Sequence, residues 1–157
     1  MKVPPALIGR AGELITAAEL LRRGIDIAQP SVDIGVDLLA YSLTKGNAAP
    51  TNMVPIQVKS YSSTGYKFMK SWFDVSPGLV LVSVWHVATT PQCHVFGSIA
   101  DVEDALGQHA NSPSWTVNGV YSVTSPGPDA VERVGRHCDK WQRIIDRVTA
   151  SLAPSDA

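Results

Sequence analysis

Two short segments with alternating apolar and polar residues constrain the fold of this chain more than any other feature. The first, residues 35–40, reads Gly-Val-Asp-Leu-Leu-Ala, and the second, residues 55–60, reads Pro-Ile-Gln-Val-Lys-Ser. Successive side chains of a β-strand point to opposite faces of its sheet, so Asp37 opposes its apolar neighbours, and Gln57 and Lys59 share one face. If the two strands pair, a carboxylate, an amide and an ammonium gather on one patch of an otherwise apolar sheet. Because such a patch is costly to build for stability alone, it is a candidate active site.

The rest of the chain predicts helices and further strands around this pair. We expect strands at 25–27, 34–41, 53–60, 79–87, 93–97 and 115–123, and helices at 7–23, 66–73 and 98–106, the last capped by Ser98. The final segment predicts one long helix, since its apolar residues are spaced three and four positions apart. These residues are Val131, Val134, Cys138, Trp141, Ile145, Val148 and Leu152. The pattern is that of an α/β (α+β) protein with a long C-terminal helix.

Composition is that of a globular protein. The chain has 157 residues, of which 45% are hydrophobic and 17% charged, enough for one domain with a sizeable core. No apolar run is long enough to span a bilayer, and no secretory signal is expected. Its two cysteines do not form a disulfide framework, and a reducing cytoplasm is the simplest setting.

The distribution of charge favours an anionic partner on one side only. The net charge is −1, yet the segment through Lys70 carries eight Lys or Arg against five acids, a net +3, which leaves −4 for the remainder. We expect Arg10, Lys67 and Lys70 to contact phosphate groups, with Lys2 as a further candidate. The alternative for Arg10 is an ion pair with Glu13, one helical turn away.

Three sequence matches resemble the PD-(D/E)XK nuclease superfamily. They are Gly12-Glu13 in the first helix, Gly35-Val36-Asp37-Leu38 in the first strand and Ile56-Gln57-Val58-Lys59 in the second. The Gln-x-Lys spacing is similar to the Mrr-like branch of that superfamily. The resemblance implies a restriction-endonuclease-like fold over residues 1–157, with a central mixed β-sheet flanked by helices. It also implies metal-dependent hydrolysis of phosphodiester bonds in DNA, in defence or DNA repair.

The resemblance also assigns roles to the matching residues. Asp37 would be the main metal ligand, Glu13 the helical acid that reaches the metal, and Lys59 the lysine of the motif. Gln57 stands where many relatives have a second acid. The amide oxygen of Gln57 and the backbone carbonyl of Val58 add neutral oxygen ligands, which suit Mg²⁺ or Mn²⁺. Lys59 would orient the attacking water or stabilise the transition state.

Several alternatives remain open at this stage. Asp33 is either an extra ligand or a turn residue, and the aromatic side chains near Lys67 are expected to belong to the core. Zinc at Cys93-His94 is disfavoured because neighbours in a strand point to opposite faces, and zinc at His137-Cys138 because Cys138 belongs to the apolar stripe of the last helix. The last helix leaves a homodimer open, with Trp141 and Ile145 at the interface.

Two rival functions compete with the nuclease interpretation. One is a catalytically inactive nuclease-fold protein that binds nucleic acid or a protein partner. The other is a structural or interaction domain in which Glu13, Asp37, Gln57 and Lys59 are scattered in space. Whether the two carboxylates converge near Gln57 and Lys59 separates these possibilities.

Overall fold

A computed structural model describes residues 3–32, 34–42 and 52–150, and shows a mixed α/β architecture. The helices are α1 (Pro5–Leu21), α2 (Lys70–Val75), α3 (Ile99–Leu106), α4 (Pro113–Thr116), α5 (Pro128–Gly135) and α6 (Gln142–Thr149), with a 3₁₀ turn at Gly107–Asn111. The strands are β1 (Asp26–Ala28), β2 (Leu38–Tyr41), β3 (Met53–Ser60), β4 (Tyr66–Met69), β5 (Val80–Trp85), β6 (Gln92–Phe96) and β7 (Val120–Val123).

The central sheet has five strands in the order β1-β2-β3-β5-β6. The pair β3–β5 is parallel, whereas β1–β2, β2–β3 and β5–β6 are antiparallel. In the β2–β3 pair, Leu38 lies opposite Ile56. Strands β4 and β7 form a separate two-stranded antiparallel sheet. The expected mixed sheet with flanking helices is therefore confirmed, as is the pairing of the two segments that the sequence singled out.

Each face of the central sheet is covered by its own hydrophobic cluster. On the first face, alternate residues of β2, β3 and β5, including Leu38, Ile56 and Val82, pack with side chains of α1 and α6. On the second face, Leu81 and Phe96 pack with α3, α4, α5 and the β4–β7 pair. We call these the α1 face and the α3 face. Residues of β3 with even numbers lie on the α1 face, so Gln57 and Lys59 belong to the α3 face.

Helix α1 approaches the end of β3 closely at Gly12. A Cβ at this position would lie 2.8 Å from the Cβ of Ser60 and 3.6 Å from a methyl group of Val58. Only glycine therefore allows the helix to cross the strand at this height. The contact therefore fixes the height along β3 at which the side chain of the next residue, Glu13, projects from α1. Helix α1 begins two residues earlier than expected, with Pro5 in its first turn, where a missing N–H costs nothing.

The prediction of one long C-terminal helix is wrong, because the segment forms two helices, α5 and α6. Between them the chain runs beside β6. The N–H of Val95 donates to the carbonyl of His137 at 2.9 Å, and the N–H of Asp139 donates to the carbonyl of Cys93 at 2.9 Å. Asp139 has φ 54°, which no helix accommodates. Pairing with the otherwise open edge of β6 therefore overrides the helical periodicity.

This break also removes the basis of the predicted homodimer interface. Trp141 is 2% exposed and belongs to the core on the α1 face, and Ile145 packs against the same cluster. Their spacing reflects burial within the chain, not an interface. The remaining residue of the predicted stripe, Leu152, lies outside the described residues.

Three other segments differ from the expected elements. Residues 34–41 were expected to be a strand, but β2 begins only at Leu38, so Asp37 precedes the strand. Residues 66–73 were expected to be a helix, but Tyr66–Met69 is strand β4 and only Lys70–Val75 is helical. Residues 115–123 were expected to be a strand, but only Val120–Val123 is extended. Strands β4 and β7 form because they pair with each other, a partnership that neither segment reveals alone.

The Ser98 cap is confirmed, since its hydroxyl accepts from the N–H of Asp101. Within the described ranges, no helix has the length and apolar character needed to cross a membrane.

Candidate active site

Asp37 lies where β2 and β3 part. Its N–H donates to the carbonyl of Ile56 at 2.8 Å, and its Oδ2 accepts from the N–H of Val58 at 2.6 Å. Because β2 extends only from Leu38 onward, β3 continues past its neighbour, and the Asp37 carboxylate occupies the place of the next ladder partner. The N–H and C=O of one strand residue point to the same side, so the Val58 carbonyl also faces the side on which Asp37 lies.

Glu13 shares a pocket with Asp37. The pocket has a volume of about 240 Å³ and is lined by Glu13, Gln29, Pro30, Val32, Val36 and Asp37. The Oε2 of Glu13 accepts from the guanidinium of Arg10 at 2.7 Å and from the Nε2 of Gln29 at 3.2 Å. The structure therefore brings the helical acid and the strand acid to one cavity. It also contains the Arg10–Glu13 ion pair that the helical spacing predicts.

Gln57 and Lys59 lie on the α3 face and are not among the lining residues of this pocket. Gln57 is 5% exposed, and its Oε1 has no hydrogen-bond partner within the described part of the chain. The Lys59 ammonium lies 5.0 Å from the centre of the Trp72 ring, a cation–π contact. Asp37 was expected to share their face. Its carboxylate accepts from the Val58 N–H at the edge of β3 and lines the Glu13 pocket, which neither Gln57 nor Lys59 lines.

The oxygen atoms around this edge match the donor set of a hard divalent cation. Glu13 and Asp37 supply carboxylates and Val58 a carbonyl at this edge, whereas the buried, unpartnered amide oxygen of Gln57 lies on the α3 face. Mg²⁺ and Mn²⁺ prefer such ligands to the nitrogen and sulfur donors that zinc favours. Among the residues that the structure describes, no group of three or more His, Cys, Asp or Glu side chains is placed to hold a metal ion. Any metal here would therefore depend on the neutral oxygens as well.

The three predicted phosphate contacts lie in different settings. Arg10 is half-exposed but paired with Glu13. Lys67 is exposed on β4, whereas the Lys70 ammonium lies 5.0 Å from the centre of the Trp115 ring. Lys67 is thus the one of these three cations with the most open surroundings. The further candidates Lys2 and Asp33 lie outside the described residues.

A larger cavity begins beside Lys59, where β3 ends. Its volume is about 580 Å³, and its walls are Val3, Pro5, Ile8, Ser60, Tyr61, Ser62, Ser63, Thr64, Ala88 and Thr124. Burial raises the pKa of Tyr61 to about 12, so its hydroxyl is neutral at physiological pH. We call this cavity the hydroxyl pocket, because six of its walls carry a hydroxyl group.

Sequence reasoning missed the partners that hold the candidate residues in place. Gln29 comes from the turn after β1 and reaches Glu13, and Trp72 comes from α2 and covers Lys59. Nothing in the local sequence marks either residue. The run of hydroxyl residues from Ser60 to Thr64 was the one available signal for the hydroxyl pocket, and it was interpreted as a polar turn.

Comparisons with known proteins add no relative: no family model, no curated protein and no solved structure matches this chain.

Proposed function

We propose that this protein is a metal-dependent nuclease with a restriction-endonuclease-like fold that hydrolyses phosphodiester bonds in DNA. The observation that carries the proposal is the position of Asp37. Its carboxylate lies on the backbone of the Gln57-Val58-Lys59 segment and lines the same pocket as Glu13. The order α1-β1-β2-β3, followed by a strand parallel to β3, is compatible with the resemblance in the motifs.

The proposed division of labour follows from the position of each group. Asp37, Glu13 and the Val58 carbonyl would hold Mg²⁺ or Mn²⁺, with the Gln57 amide oxygen as the neutral fourth candidate. A metal held by these residues would supply an acidified water molecule and positive charge beside the phosphoryl group. A hydrogen bond from the Val58 N–H orients the Asp37 carboxylate, and hydrogen bonds from Arg10 and Gln29 orient the Glu13 carboxylate.

In this proposal Lys59 supplies, from the α3 face, the positive charge that phosphoryl transfer needs. Its ammonium has three N–H donors and rests on the Trp72 ring, from which its flexible stem can reach outward. Charge developing on the phosphate oxygens favours such a donor more in the transition state than in the ground state. Lys59 therefore acts as a transition-state stabiliser, and water rather than a side chain is the nucleophile.

The direct test is metal-dependent nicking of plasmid DNA and of branched or single-stranded oligonucleotides. Asp37→Asn and Lys59→Met remove one charge each with little change of shape, and we expect each to slow cleavage by at least roughly a hundredfold. Asp129→Asn, at an exposed carboxylate on α5, is the matched control and should leave the rate unchanged. A wild-type protein that is inert with every metal and substrate overturns the proposal, as does an Asp37→Asn variant as active as Asp129→Asn.

A second candidate function, binding of nucleic acid without cleavage, rests on the engagement of the same groups. Glu13 is neutralised by Arg10, Lys59 lies on an aromatic ring, and Gln57 is an amide where a carboxylate would bind metal more strongly. This candidate predicts salt-dependent DNA binding that is weakened by Lys67→Gln and unaffected by chelation of metal. Fluorescence anisotropy with labelled DNA, with and without EDTA, separates it from the nuclease. Binding of a protein partner instead of DNA would leave the anisotropy unchanged.

A further inference from the structure

The hydroxyl pocket and the pocket lined by Glu13 and Asp37, which we call the carboxylate pocket, lie on either side of one contact between α1 and β3. Ser60 lines the hydroxyl pocket and touches Gly12, and Glu13, the next helical residue, lines the carboxylate pocket. Ile8, on the other side of this contact, also lines the hydroxyl pocket. Five residues of helix separate Ile8 from Glu13, a rise of about 7.5 Å. The two cavities are therefore close enough to hold neighbouring parts of one molecule.

The lining of the hydroxyl pocket selects a neutral ligand. Among the residues that the structure describes, the ten that line this pocket carry no charge, although Arg10, Glu13 and Lys59 lie nearby in the sequence. A phosphate, carboxylate or ammonium group would lose its hydration there without gaining a counter-ion. A neutral molecule would not incur that penalty.

The same lining favours a flat ring with polar edges. Val3, Pro5, Ile8 and Ala88 offer apolar surface, whereas hydroxyl groups from the 60–64 loop and Thr124 offer donors and acceptors. The Oγ of Ser60 is buried against Gly12 of α1, so it helps to close the pocket rather than to face a ligand. The hydroxyl groups that the polar edge of an incoming ring can meet are those of the exposed residues Ser62, Ser63 and Thr124.

We propose that the hydroxyl pocket binds a nucleobase extruded beside the phosphodiester bond that the carboxylate pocket holds. This inference rests on the proposed nuclease function and specifies its substrate class. A base can reach the pocket only when it leaves its stack, which costs least in single-stranded, mismatched or branched DNA. The preferred substrate is therefore DNA with an unpaired base next to the bond that is cut, rather than a regular duplex.

The first test measures base binding without cleavage. We expect thymidine and adenosine at millimolar concentration to shift the amide NMR signals of Ser62, Thr64 and Thr124 in the full chain. Inorganic phosphate is expected to leave those signals unchanged. Ala88→Trp places an indole in the pocket from an exposed position and is expected to abolish the nucleoside shifts. Thr90→Trp, at an exposed position that is not part of the lining, is the matched control and is expected to retain them.

The second test measures substrate preference. Oligonucleotides with a mismatch at the cut site should be cleaved at least roughly tenfold faster than the fully paired duplex, since stacking of one base contributes strongly to binding. Ala88→Trp or Thr124→Trp should remove that preference while leaving slow duplex cleavage intact. If nucleosides cause no shifts, or if cleavage ignores the mismatch in every variant, the base pocket is refuted although the nuclease stands. Nucleoside shifts in a protein that cleaves nothing refute the nuclease and support the pocket.

Discussion

Two glycines in one helix provide a sharp test of how α1 is seated on the sheet. An alanine in a helix interior is favoured over glycine by about 1 kcal/mol, whichever position is changed. At Gly9 an added Cβ would meet nothing within 4 Å, so Gly9→Ala should gain most of that amount. At Gly12 the same methyl group would lie 2.8 Å from the Cβ of Ser60, well inside ordinary carbon contact.

The clash at Gly12 should outweigh the gain in helix propensity. The Ser60 Cβ is attached directly to the backbone of β3, which pairs with β5 at this residue, so it cannot rotate away as a long side chain would. Overpacking of this kind typically costs 1–3 kcal/mol, and we expect about 2–3 here because the contact is with backbone-linked carbon. Gly12→Ala should therefore be less stable than wild type by about 1–2 kcal/mol after the propensity gain is subtracted.

Urea unfolding of wild type, Gly9→Ala and Gly12→Ala measures these differences, with the m-value as a check that the unfolded states match. A third background, Ser60→Gly, removes the opposing Cβ, and there Gly12→Ala should be stabilising. The proposed cleavage rate should fall in Gly12→Ala and not in Gly9→Ala, because only the former moves Glu13. If Gly9→Ala and Gly12→Ala are equally stable, α1 does not pack on β3 as described.

Three further perturbations test other contacts. His94 is buried, its Nδ1–H donates to the Ser83 carbonyl, and burial lowers its pKa from 6.5 to about 4. Because the unfolded chain takes up that proton first, stability should fall by about 3 kcal/mol as pH drops from 7 to 4. The unfolding midpoint should depend less on pH across that range in His94→Gln than in wild type, and equal pH dependence in the two proteins would contradict this role of His94. Asp37→Ala should lower the free energy of unfolding by about 1–3 kcal/mol in thermal unfolding, because the Val58 N–H loses its acceptor. Asp37→Asn should cost less. Equal stability of wild type and Asp37→Ala would rule out this structural role. Asp139→Ala should destabilise by about 1–2 kcal/mol, since alanine disfavours the left-handed conformation, whereas Asp139→Asn should be near neutral in the same assay.

Local periodicity predicted the elements that depend only on residues close to one another in the sequence. Strand β3 was predicted with its observed bounds, because alternation and flanking loop signals coincide there. The cap at Ser98 was predicted because it needs only a hydroxyl and an N–H three residues apart. The C-terminal helix was not, since the bonds that break it come from β6, more than forty residues earlier in the chain.

The candidate site divides in the same way. The candidate ligands and Lys59 were named from the sequence, because side-chain type and strand alternation are local properties, whereas their partners Gln29 and Trp72 were not. Their arrangement depends on tertiary contacts: the close approach at Gly12 brings Glu13 to the Asp37 pocket, and the early end of β2 lets Asp37 bind the Val58 amide. Gln57 and Lys59 do not line that pocket.

The sequence by itself thus determined which groups are available for chemistry, a pair of acids, an amide and a lysine on adjoining elements. The tertiary structure decided that the acids share one cavity, that Lys59 rests on Trp72, and that a neutral pocket adjoins them. The physical reason is the distance along the sequence over which each kind of interaction acts. Periodicity and caps act over a few residues, whereas cavities, ion-pair partners and strand edges depend on which distant segments meet.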